Sequence, residues 1–582
     1  MWWVLAGLAI VAAIVSRIIV RQSAIAPRTP WDEISMLQMA KLISGDPDVT
    51  PLAGSGYYPG FSFLIAPVWW FTSDPEQVYQ ASAWVGTALA LLTIWPLSSI
   101  ARRLGLSTPQ SLVAAAIVMG LPSRTGLEDY TLAEQSMFLF LVWTVAAGFR
   151  LWARPTVLGA LAFALLASLT YLMHVRALVV LLVAGIWMVL FLRRRILPAL
   201  VGVVGVVLGY FGVEWVVSVI TEPLTLWGFS QGSGFMDNLR STWFSLAARV
   251  VTAHLWAQLV ATFGLIVIGT LVVVGWTFRE LTRWRAVGPI GLILGLSLAG
   301  TVLGIVPWLG PDVMLDLDNP RFDAWQYTRY IDPYAGLLVL LALVAIFRVL
   351  RRGWAIAAVG IAVAGSLLMI FGAAPIMPTW GTNYGPGNAA GVQMWSWLWP
   401  KEGFVLPLVP TPFNANRYYF WASLVVVISL LLVLVLRRHV KVLALILIAL
   451  ATTGAIVGNP EHRRGIPTGF ERGVELAEEV SGQQQTIDVD TQCGDSGSNR
   501  AQALNWAAFW FSPRDVDAIQ PDFGDQFDSE LVIACTYWER ADALDALLIP
   551  DTGNFGYEVY ILPGPLQDEL AAAGDLVEPE GQ

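Results

Sequence analysis

Charged side chains are scarce in this chain: only 13% of its 582 residues are Asp, Glu, Lys or Arg, whereas 56% are hydrophobic and the mean hydropathy is +0.62. That composition excludes an ordinary soluble globular protein and indicates a chain that crosses a membrane many times. The sequence also lacks a Gly-rich loop ending in Lys followed by Ser or Thr, and it lacks a His-Glu-x-x-His motif. An ATP-driven protein and a zinc protease of that kind therefore have no support.

Cysteine and histidine are scarce as well, with 2 and 4 residues respectively. Both cysteines, Cys493 and Cys535, lie in the C-terminal region, whose only histidine is His462. A four-ligand zinc site is therefore not supported. Two cysteines in one soluble region form a disulfide if that region faces an oxidising compartment, and otherwise remain buried free thiols.

The charges that are present are unevenly distributed. From Asn459 onward there are 24 acidic and 6 basic residues, which leaves 19 acidic and 28 basic residues in the part before it. The sequence therefore predicts a basic membrane domain, 1–458, and an acidic soluble domain, 459–582. Candidate strands at 486–490, 531–535 and 557–562 alternate with helical stretches near 500–510 and 540–548, so the second domain is predicted to be a small α/β fold.

Apolar runs long enough to cross about 30 Å of hydrocarbon predict a polytopic α-helical membrane protein with about 13 transmembrane helices. The predicted spans are 2–20, 80–100, 109–122, 135–152, 156–173, 177–192, 196–220, 254–277, 286–308, 331–348, 353–372, 418–436 and 442–458. The apolar segment Phe61 to Phe71 is too short to cross and is predicted to lie in the membrane interface. Long loops remain at 21–79, 221–253, 309–330 and 373–417.

Basic residues in short loops indicate which side of a membrane protein faces the cytoplasm. Six short loops carry them, each after an even-numbered span: Arg102 and Arg103, Arg150 and Arg154, Arg193 to Arg195, Arg279 with Arg283 and Arg285, Arg348 with Arg351 and Arg352, and Arg437, Arg438 and Lys441. The first span contradicts the pattern, because Arg17 and Arg21 lie at its outer end. Since six loops outweigh one, we expect the long loops and the C-terminal domain on the extracytoplasmic face, where Cys493 and Cys535 could form a disulfide.

An acidic pair, Asp32-Glu33, follows the first span by about ten residues. Charges this close to hydrocarbon cost several kcal/mol unless they are solvated or paired, so a catalytic role is a candidate explanation. The alternative is that Asp32 caps a short surface helix running from Glu33 to Ile43, with Glu33 in its first turn.

A second acidic cluster, Glu128, Asp129 and Glu134, precedes the fourth span on the same face. Together with Asp32 it could supply a general base and its orienting partner, or bind Mg²⁺ or Mn²⁺, with Asp32 and Asp129 as the candidate metal ligands. The alternative is ordinary loop solvation, with Glu134 as the acid at the start of a helix.

Two arginines, Arg176 and Arg329, lie at the outer ends of spans, at the depth of lipid headgroups. Guanidinium groups bind phosphate oxygens in a bidentate manner, so both are candidates for phosphate binding. Snorkelling to the lipid is the alternative for Arg176. Asp332 is expected to orient Arg329 and to cap the helix that follows, and His174 is either a further site residue or a satisfied interfacial histidine.

The order of these short motifs resembles that of GT-C glycosyltransferases, most of all the branch of protein O-mannosyltransferases and lipid A aminoarabinose transferases. The resemblance covers the membrane domain and is strongest over residues 30–155. It rests on Asp32-Glu33, on Tyr57-Tyr58-Pro59-Gly60 before an apolar interfacial segment, on Arg102-Arg103, on an acidic loop that ends at Glu134 and on Arg329-Tyr330 at the start of a late span.

The resemblance implies a membrane enzyme that transfers a sugar from a polyprenyl-phosphate donor to an acceptor at the outer leaflet, with inversion at the sugar. It places the essential acid at Asp32, with Glu33 as its neighbour. The acceptor would be an envelope polysaccharide or glycolipid. The Ala- and Val-rich, Lys-poor composition favours a bacterial plasma membrane, and nucleic acid is not an expected partner.

One departure from the family pattern concerns the donor phosphate. Related transferases often have a Lys before the Pro-Pro of the tyrosine-rich segment, where this chain has Tyr58-Pro59-Gly60. Donor phosphate binding is therefore expected from Arg176 and Arg329, with His174 and Tyr58 beside them. That chemistry needs a base for the acceptor proton and cations for the departing phosphate.

Two other functions are alternatives to that of a transferase. A transporter or flippase of a lipid-linked saccharide would place polar residues near the bilayer midplane and show interrupted helices in two repeats, and neither pattern is evident. A membrane scaffold with an acidic recruiting tail would leave the clustered outer arginines and acids unexplained.

Overall fold

The computed structural model describes residues 1–22, 24–27, 29–46, 49–52, 57–128, 130–226, 235–316, 320–321, 323–378, 415–457, 468–493 and 497–579. In the membrane domain these residues are almost entirely helical. The α-helices are α1 Trp2–Arg21, α2 Pro30–Ile43, α3 Gly60–Ile65, α4 Pro75–Leu92, α5 Ile94–Arg103, α6 Thr108–Gly120, α7 Pro122–Thr125, α8 Glu134–Ala153, α9 Val157–Met173, α10 Leu178–Phe191, α11 Ile196–Thr221, α12 Phe235–Ser241, α13 Phe244–Ala261, α14 Leu265–Trp284, α15 Pro289–Ile305, α16 Pro311–Met314, α17 Asp332–Phe347, α18 Arg352–Leu368, α19 Ala415–Leu436 and α20 Val440–Val457.

These helices confirm a polytopic helical membrane protein. Within the described ranges, 9 helices are long and apolar enough to cross a membrane, and most of the shorter apolar helices coincide with predicted spans. Helices α4 and α5 together form the second predicted span. Every predicted span except the eighth corresponds to one helix or one such continuous pair.

The eighth predicted span, 254–277, was wrong in its bounds. The chain there forms two helices, α13 and α14, separated where Phe263 and Gly264 take left-handed φ values of 51° and 79°. Gln258 of α13 donates to the carbonyl of Thr328 at 3.3 Å, and Asn238 of the preceding helix α12 donates to the carbonyl of Pro307 at 3.1 Å. Both α13 and α14 are long and apolar enough to cross a membrane.

The two arginines that contradicted the charge pattern of the loops are held inside the protein. Arg17 is fully buried, forms an ion pair with Glu128 and donates to the carbonyl of Met119 at 2.5 Å. Arg21 lies 4.5 Å from the ring centroid of Trp84. Because both cations have partners within the fold, they can lie at the outer end of the first span despite the charge pattern of the loops.

The first outer loop contains the short helices α2 and α3 and a 3₁₀ segment, Ala66–Trp70. Gly60 begins α3 against α9, where a Cβ would lie 2.5 Å from the carbonyl oxygen of Leu172, so only glycine fits. The predicted interfacial segment is helical, with Phe61 buried and Trp70 and Phe71 65% and 86% exposed.

The C-terminal domain has the predicted α/β character. Its sheet has the strand order β2-β1-β3-β5-β4, with β1 parallel to β2 and β3, and β5 antiparallel to β3 and β4. The elements are β1 Ile487–Asp490, β2 Val516–Ile519, β3 Leu531–Cys535, β4 Leu547–Leu548 and β5 Tyr557–Ile561, with helices α21 Thr468–Ser481, α22 Gly497–Trp510 and α23 Pro565–Ala573. The predicted helix at 540–548 was wrong, because that stretch forms a 3₁₀ turn, Asp542–Leu544, followed by β4.

The two cysteines lie side by side in this domain as buried, free thiols, and the disulfide expected in an oxidising compartment stays a prediction. The backbone N–H of Cys535 donates to Sγ of Cys493 at 2.8 Å. Their adjacency follows from the fold: Cys535 ends β3, and Cys493 follows the neighbouring parallel strand β1.

The C-terminal domain packs directly on the first outer loop. Gln38 of α2 donates to the carbonyl of Ala508 in α22 at 2.7 Å, and the rings of Trp69 and Phe509 meet edge to face at 6.3 Å. One continuous hydrophobic core contains residues from α2, α3 and the sheet. The second domain therefore rests on the helix that carries Asp32 and Glu33.

Candidate active site

Asp32 lies in the first turn of α2, which begins with Pro30 after Thr29. Its two oxygens accept from different residues: Oδ2 from Nη1 of Arg329 at 2.8 Å, and Oδ1 from the hydroxyl of Tyr57. The residue is 8% exposed. The carboxylate is thus fixed by a cation and a neutral donor and is slightly exposed.

Arg329 joins two carboxylates that are far apart in sequence. Besides its bond to Asp32, its Nε donates to Oε1 of Glu134, the first residue of α8. Burial alone would lower the pKa of Arg329, but the charges of Glu134 and Asp32 raise it well above its usual value. The expected pairing of Asp332 with Arg329 was wrong: Asp332 accepts from Gln258 at 2.5 Å.

Glu33 is bonded quite differently from its neighbour. It is fully buried and accepts from the backbone N–H of Thr29 at 2.9 Å, from the hydroxyl of Tyr79 at 2.8 Å and from the backbone N–H of Thr131 at 2.8 Å. These bonds tie the start of α2 to α4 and to the loop before α8. Its geometry is that of a helix-capping and loop-fixing carboxylate.

Tyr57 and His174 extend the cluster. Burial and then the charge of Asp32 raise the pKa of Tyr57 well above its usual value, so its hydroxyl stays protonated and donates. Its ring meets that of His174 at right angles, with centroids 6.5 Å apart. Burial and then the charges of Arg176 and Arg329 hold the pKa of His174 well below its usual value, so the imidazole is neutral near pH 7.

Arg176 carries the site's uncommitted positive charge. Its guanidinium carbon lies 3.0 Å from the ring centroid of Tyr330, and its Nη1 is 3.5 Å from Nε2 of His174. Within the described part of the chain it forms no ion pair, and it is half-buried. Tyr330 in turn packs against Tyr327 and Trp308, at 4.7 and 6.1 Å.

The two described residues of the predicted second acidic cluster, Glu128 and Glu134, have separate surroundings. Glu134 joins Asp32 through Arg329. Glu128 is buried with Arg17 and accepts from Thr87 at 2.7 Å, and Asp129 lies outside the described residues.

The two adjacent tyrosines of the Tyr57-Tyr58 motif have different partners. Tyr58 contacts the hydroxyl of Tyr171 at 2.8 Å and donates to Glu214 at 3.0 Å. Sequence reasoning selected Tyr58 and missed Tyr57. The motif drew attention to the pair, but no signal in it shows which ring turns toward Asp32.

Comparisons with known proteins give similarities in structure alone. No family model and no curated protein sequence matches the chain. ArnT from Cupriavidus metallidurans bound to undecaprenyl phosphate is 16% identical, with a TM-score of 0.49, over 96% of this chain and 99% of that one. Arabinosyltransferase EmbB from Mycobacterium smegmatis is 15% identical, with a TM-score of 0.41, over 77% of this chain and 40% of that one.

The archaeal oligosaccharyltransferase AglB from Archaeoglobus fulgidus, in complex with an inhibitory peptide and a dolichol-phosphate, is 10% identical with a TM-score of 0.44. That similarity covers 92% of this chain and 70% of that one.

Proposed function

We propose that this protein is an integral membrane glycosyltransferase that transfers a sugar from a polyprenyl-phosphate donor to a cell-envelope polysaccharide or glycolipid on the extracytoplasmic face. The observation that carries the proposal is the pairing of a slightly exposed carboxylate, Asp32, with Arg329 and Tyr57, beside the uncommitted guanidinium of Arg176. A base and a separate cation in one cluster are what displacement of a lipid phosphate requires.

The reaction is a single inverting displacement. The acceptor hydroxyl oxygen forms a bond to the anomeric carbon, and its proton passes to Asp32. The bond from the anomeric carbon to the phosphate oxygen breaks, and its electron pair leaves with the polyprenyl phosphate. The sugar passes through an oxocarbenium-like state, which a nearby carboxylate also stabilises.

The two arginines have different roles in this proposal. Arg329 is held by Asp32 and Glu134, so it orients the base. Arg176 forms no ion pair within the described ranges, so it is the residue that binds the donor phosphate and the charge that develops there. His174 is a neutral neighbour that accepts from the backbone N–H of Arg176 at 3.2 Å.

We propose a mechanism without a divalent cation at Asp32. Both carboxylate oxygens already accept hydrogen bonds, from Arg329 and Tyr57. No group of at least three Asp, Glu, His or Cys that could hold a metal ion exists among the described residues, and Asp129 is not among them. The mechanism therefore uses Arg176 for the phosphate charge. Treatment with EDTA is expected to leave transfer intact, and loss of transfer that Mg²⁺ restores would contradict this assignment.

The orientation of the protein is part of the proposal. The basic loops named from the sequence support an orientation in which the site and the C-terminal domain lie outside the cytoplasm of a bacterial plasma membrane. Accessibility of cysteines introduced at loop positions to a membrane-impermeant reagent, in intact cells, measures this directly.

Product analysis tests the function. Purified protein in nanodiscs is incubated with a panel of undecaprenyl-phosphate monosaccharides and an envelope extract, and the lipids are separated afterwards. We expect free undecaprenyl phosphate and a glycosylated acceptor from at least one donor. A flippase would return every donor intact in proteoliposomes while moving it between leaflets, and that result would overturn the proposal.

A further inference from the structure

A cavity of about 420 Å³ lies where the C-terminal domain meets the start of α4. One wall is the segment 73–76, and the other comes from α21, from the end of α22 and from the residues that follow it. Its lining includes four acids, Asp74, Glu76, Glu471 and Glu475. Two of these acids come from each domain, so the cavity forms only when the two domains are packed together.

The cavity carries negative charge that the described residues do not neutralise. None of its four acids forms an ion pair within the described ranges. The basic residue in the lining, Arg514, is already held by Glu478 through two bonds of 2.6 and 2.7 Å. A concave surface lined by charges of one sign attracts ligands of the opposite sign. The cavity therefore favours a positively charged ligand.

A buried hydroxyl in the same lining lacks a partner. Ser512 is 5% exposed, and its Oγ forms no hydrogen bond with any described residue. Nearly all buried polar atoms in proteins are hydrogen-bonded, so this hydroxyl requires an explanation. A ligand in the cavity that carries an N–H group would supply the missing bond.

The spacing of the acids favours an organic cation over a metal ion. Among the described residues, these four acids included, no three His, Cys, Asp or Glu side chains converge closely enough to hold a metal ion. A primary ammonium group has three N–H donors that point in different directions, so separate carboxylates and a hydroxyl can satisfy it. The cavity offers both kinds of acceptor.

The position of α4 in the bilayer indicates the source of such an ammonium group. Helices α4 and α5 together have 29 residues and are about 43 Å long at about 1.5 Å per residue, which matches a bilayer with both headgroup layers. Arg102 and Arg103 lie at one end, so Pro75, at the other end, reaches the opposite headgroup layer. Close to Pro75, Trp70 and Phe71 are 65% and 86% exposed, as side chains that contact lipid are. The cavity therefore lies at the level of lipid headgroups.

We propose that this cavity binds the ammonium group of a phosphatidylethanolamine headgroup and that the bound lipid joins the C-terminal domain to the membrane domain. Phosphatidylethanolamine carries a primary ammonium group without the additional carboxylate of phosphatidylserine, which the acids would repel. The ammonium group donates to carboxylates of both domains and to Ser512, and it reduces the repulsion between them. Because neither Asp32 nor Arg176 lines the cavity, the inference does not depend on the proposed function.

Lipid retention by the full-length protein tests the proposal. The protein is purified in detergent with an equal mixture of phosphatidylethanolamine and phosphatidylcholine of the same acyl chains, and native mass spectrometry identifies the most tightly retained lipid. Phosphatidylcholine keeps the positive charge but has no N–H donor. Since a hydrogen bond to a charged group changes affinity by about tenfold or more, we expect at least that preference for phosphatidylethanolamine. Equal retention of the two lipids would overturn the proposal.

A double variant shows whether the preference comes from this cavity. E471Q/E475Q removes two of its carboxylates and should retain the two lipids about equally. The control is E479Q, which neutralises an exposed acid of the same helix outside the lining and should keep the preference. A full preference in E471Q/E475Q, or its loss in E479Q, would contradict the site.

Thermal stability provides a second measurement of the same contact. A ligand that binds only the folded protein raises its Tm. The wild type should therefore have a higher Tm in nanodiscs of phosphatidylethanolamine and phosphatidylglycerol than in nanodiscs with phosphatidylcholine in place of phosphatidylethanolamine. E471Q/E475Q should show a smaller difference of Tm between the two lipid mixtures, and an unchanged difference would overturn the proposal.

A soluble amine is the other source of the same chemistry. Glycerophosphoethanolamine has the same headgroup without acyl chains, and it is added at millimolar concentration to the wild type in phosphatidylcholine nanodiscs. We expect no change of Tm, because only the lipid is concentrated in the headgroup layer. A rise of Tm equal to that given by phosphatidylethanolamine would overturn the assignment to a lipid.

Discussion

Replacement of Asp32 by Asn separates the catalytic reading of the acidic pair from the helix-capping reading. Asn has nearly the size of Asp and keeps an oxygen that accepts from Arg329 or from Tyr57. It has no basicity to take a proton. The change therefore removes the proposed base while leaving the local packing almost unaltered.

The expected magnitude follows from the contacts of Asp32. Loss of a positioned general base lowers turnover by about 10²–10⁴-fold. Loss of the charge also weakens the bond to Arg329, and a hydrogen bond to a charged group contributes about 1.5–3 kcal/mol to stability. D32N should therefore reduce kcat much more than it reduces folding stability. Binding of undecaprenyl phosphate should change little, because Arg176 is untouched.

The neighbouring residue supplies the matched control. Glu33 accepts from Thr29, Tyr79 and Thr131, and every one of these partners is a donor. In E33Q the new amide would turn a donor toward one of these donors. We therefore expect a lower Tm than that of the wild type and a much smaller loss of kcat than in D32N.

Turnover is measured as release of undecaprenyl phosphate in nanodiscs, and stability as Tm of the same samples. The reasoning fails if D32N retains wild-type turnover. It also fails if E33Q loses as much turnover as D32N at an unchanged Tm, because the two acids would then have exchanged roles.

Three further outcomes follow from the geometry. R176Q should weaken undecaprenyl phosphate binding about tenfold or more. The control is R194Q, because Arg194 is stacked 4.0 Å over Trp152 at the opposite membrane face and should not affect that binding. Equal effects of the two substitutions would contradict the phosphate-binding role of Arg176. Burial raises the pKa of Asp488 to about 6, above its value of 3.8 in the unfolded chain, so folding stability is lost as pH rises from 3.8 to 6. D488N should therefore raise the Tm of the protein more at pH 8 than at pH 4. An equal shift of Tm at both pH values would contradict this prediction. Because Cys493 and Cys535 are adjacent, we expect them to form a disulfide in protein isolated from the membrane, so a maleimide should label the protein only after reduction and unfolding. Labelling of unfolded protein that has not been reduced would refute the disulfide.

Long apolar runs made most of the membrane helices predictable, since length and hydropathy alone identify a span. The failure at 254–277 has a local cause: α13 and α14 are both apolar, and a break of two left-handed residues between them changes no composition. In the C-terminal domain the fully buried strands β1 and β3 were predicted. Strand β2, whose end residues are buried and whose two middle residues are more exposed, was not predicted.

The site was less predictable than the fold, because its contacts join distant parts of the chain. The sequence placed Asp32 and Arg329 on one face, but their bond spans 297 positions and that of Arg329 with Glu134 spans 195. Composition near a residue does not report such pairings. For the same reason the full satisfaction of Glu33 by buried donors could not be foreseen from its place beside Asp32.

The position of Asp32 depends on three separate parts of the molecule. At the start of α2, Glu33 ties the helix to the loop before α8. Further along, Gln38 lies six residues after Asp32, which is about 240° around the helix, and it bonds to Ala508 of the C-terminal domain. One face of α2 therefore presents the carboxylate to Arg329 while another is buried against α22. Because these contacts share a continuous core, α2 cannot shift without opening the second domain, and that domain is part of the scaffold of the candidate site.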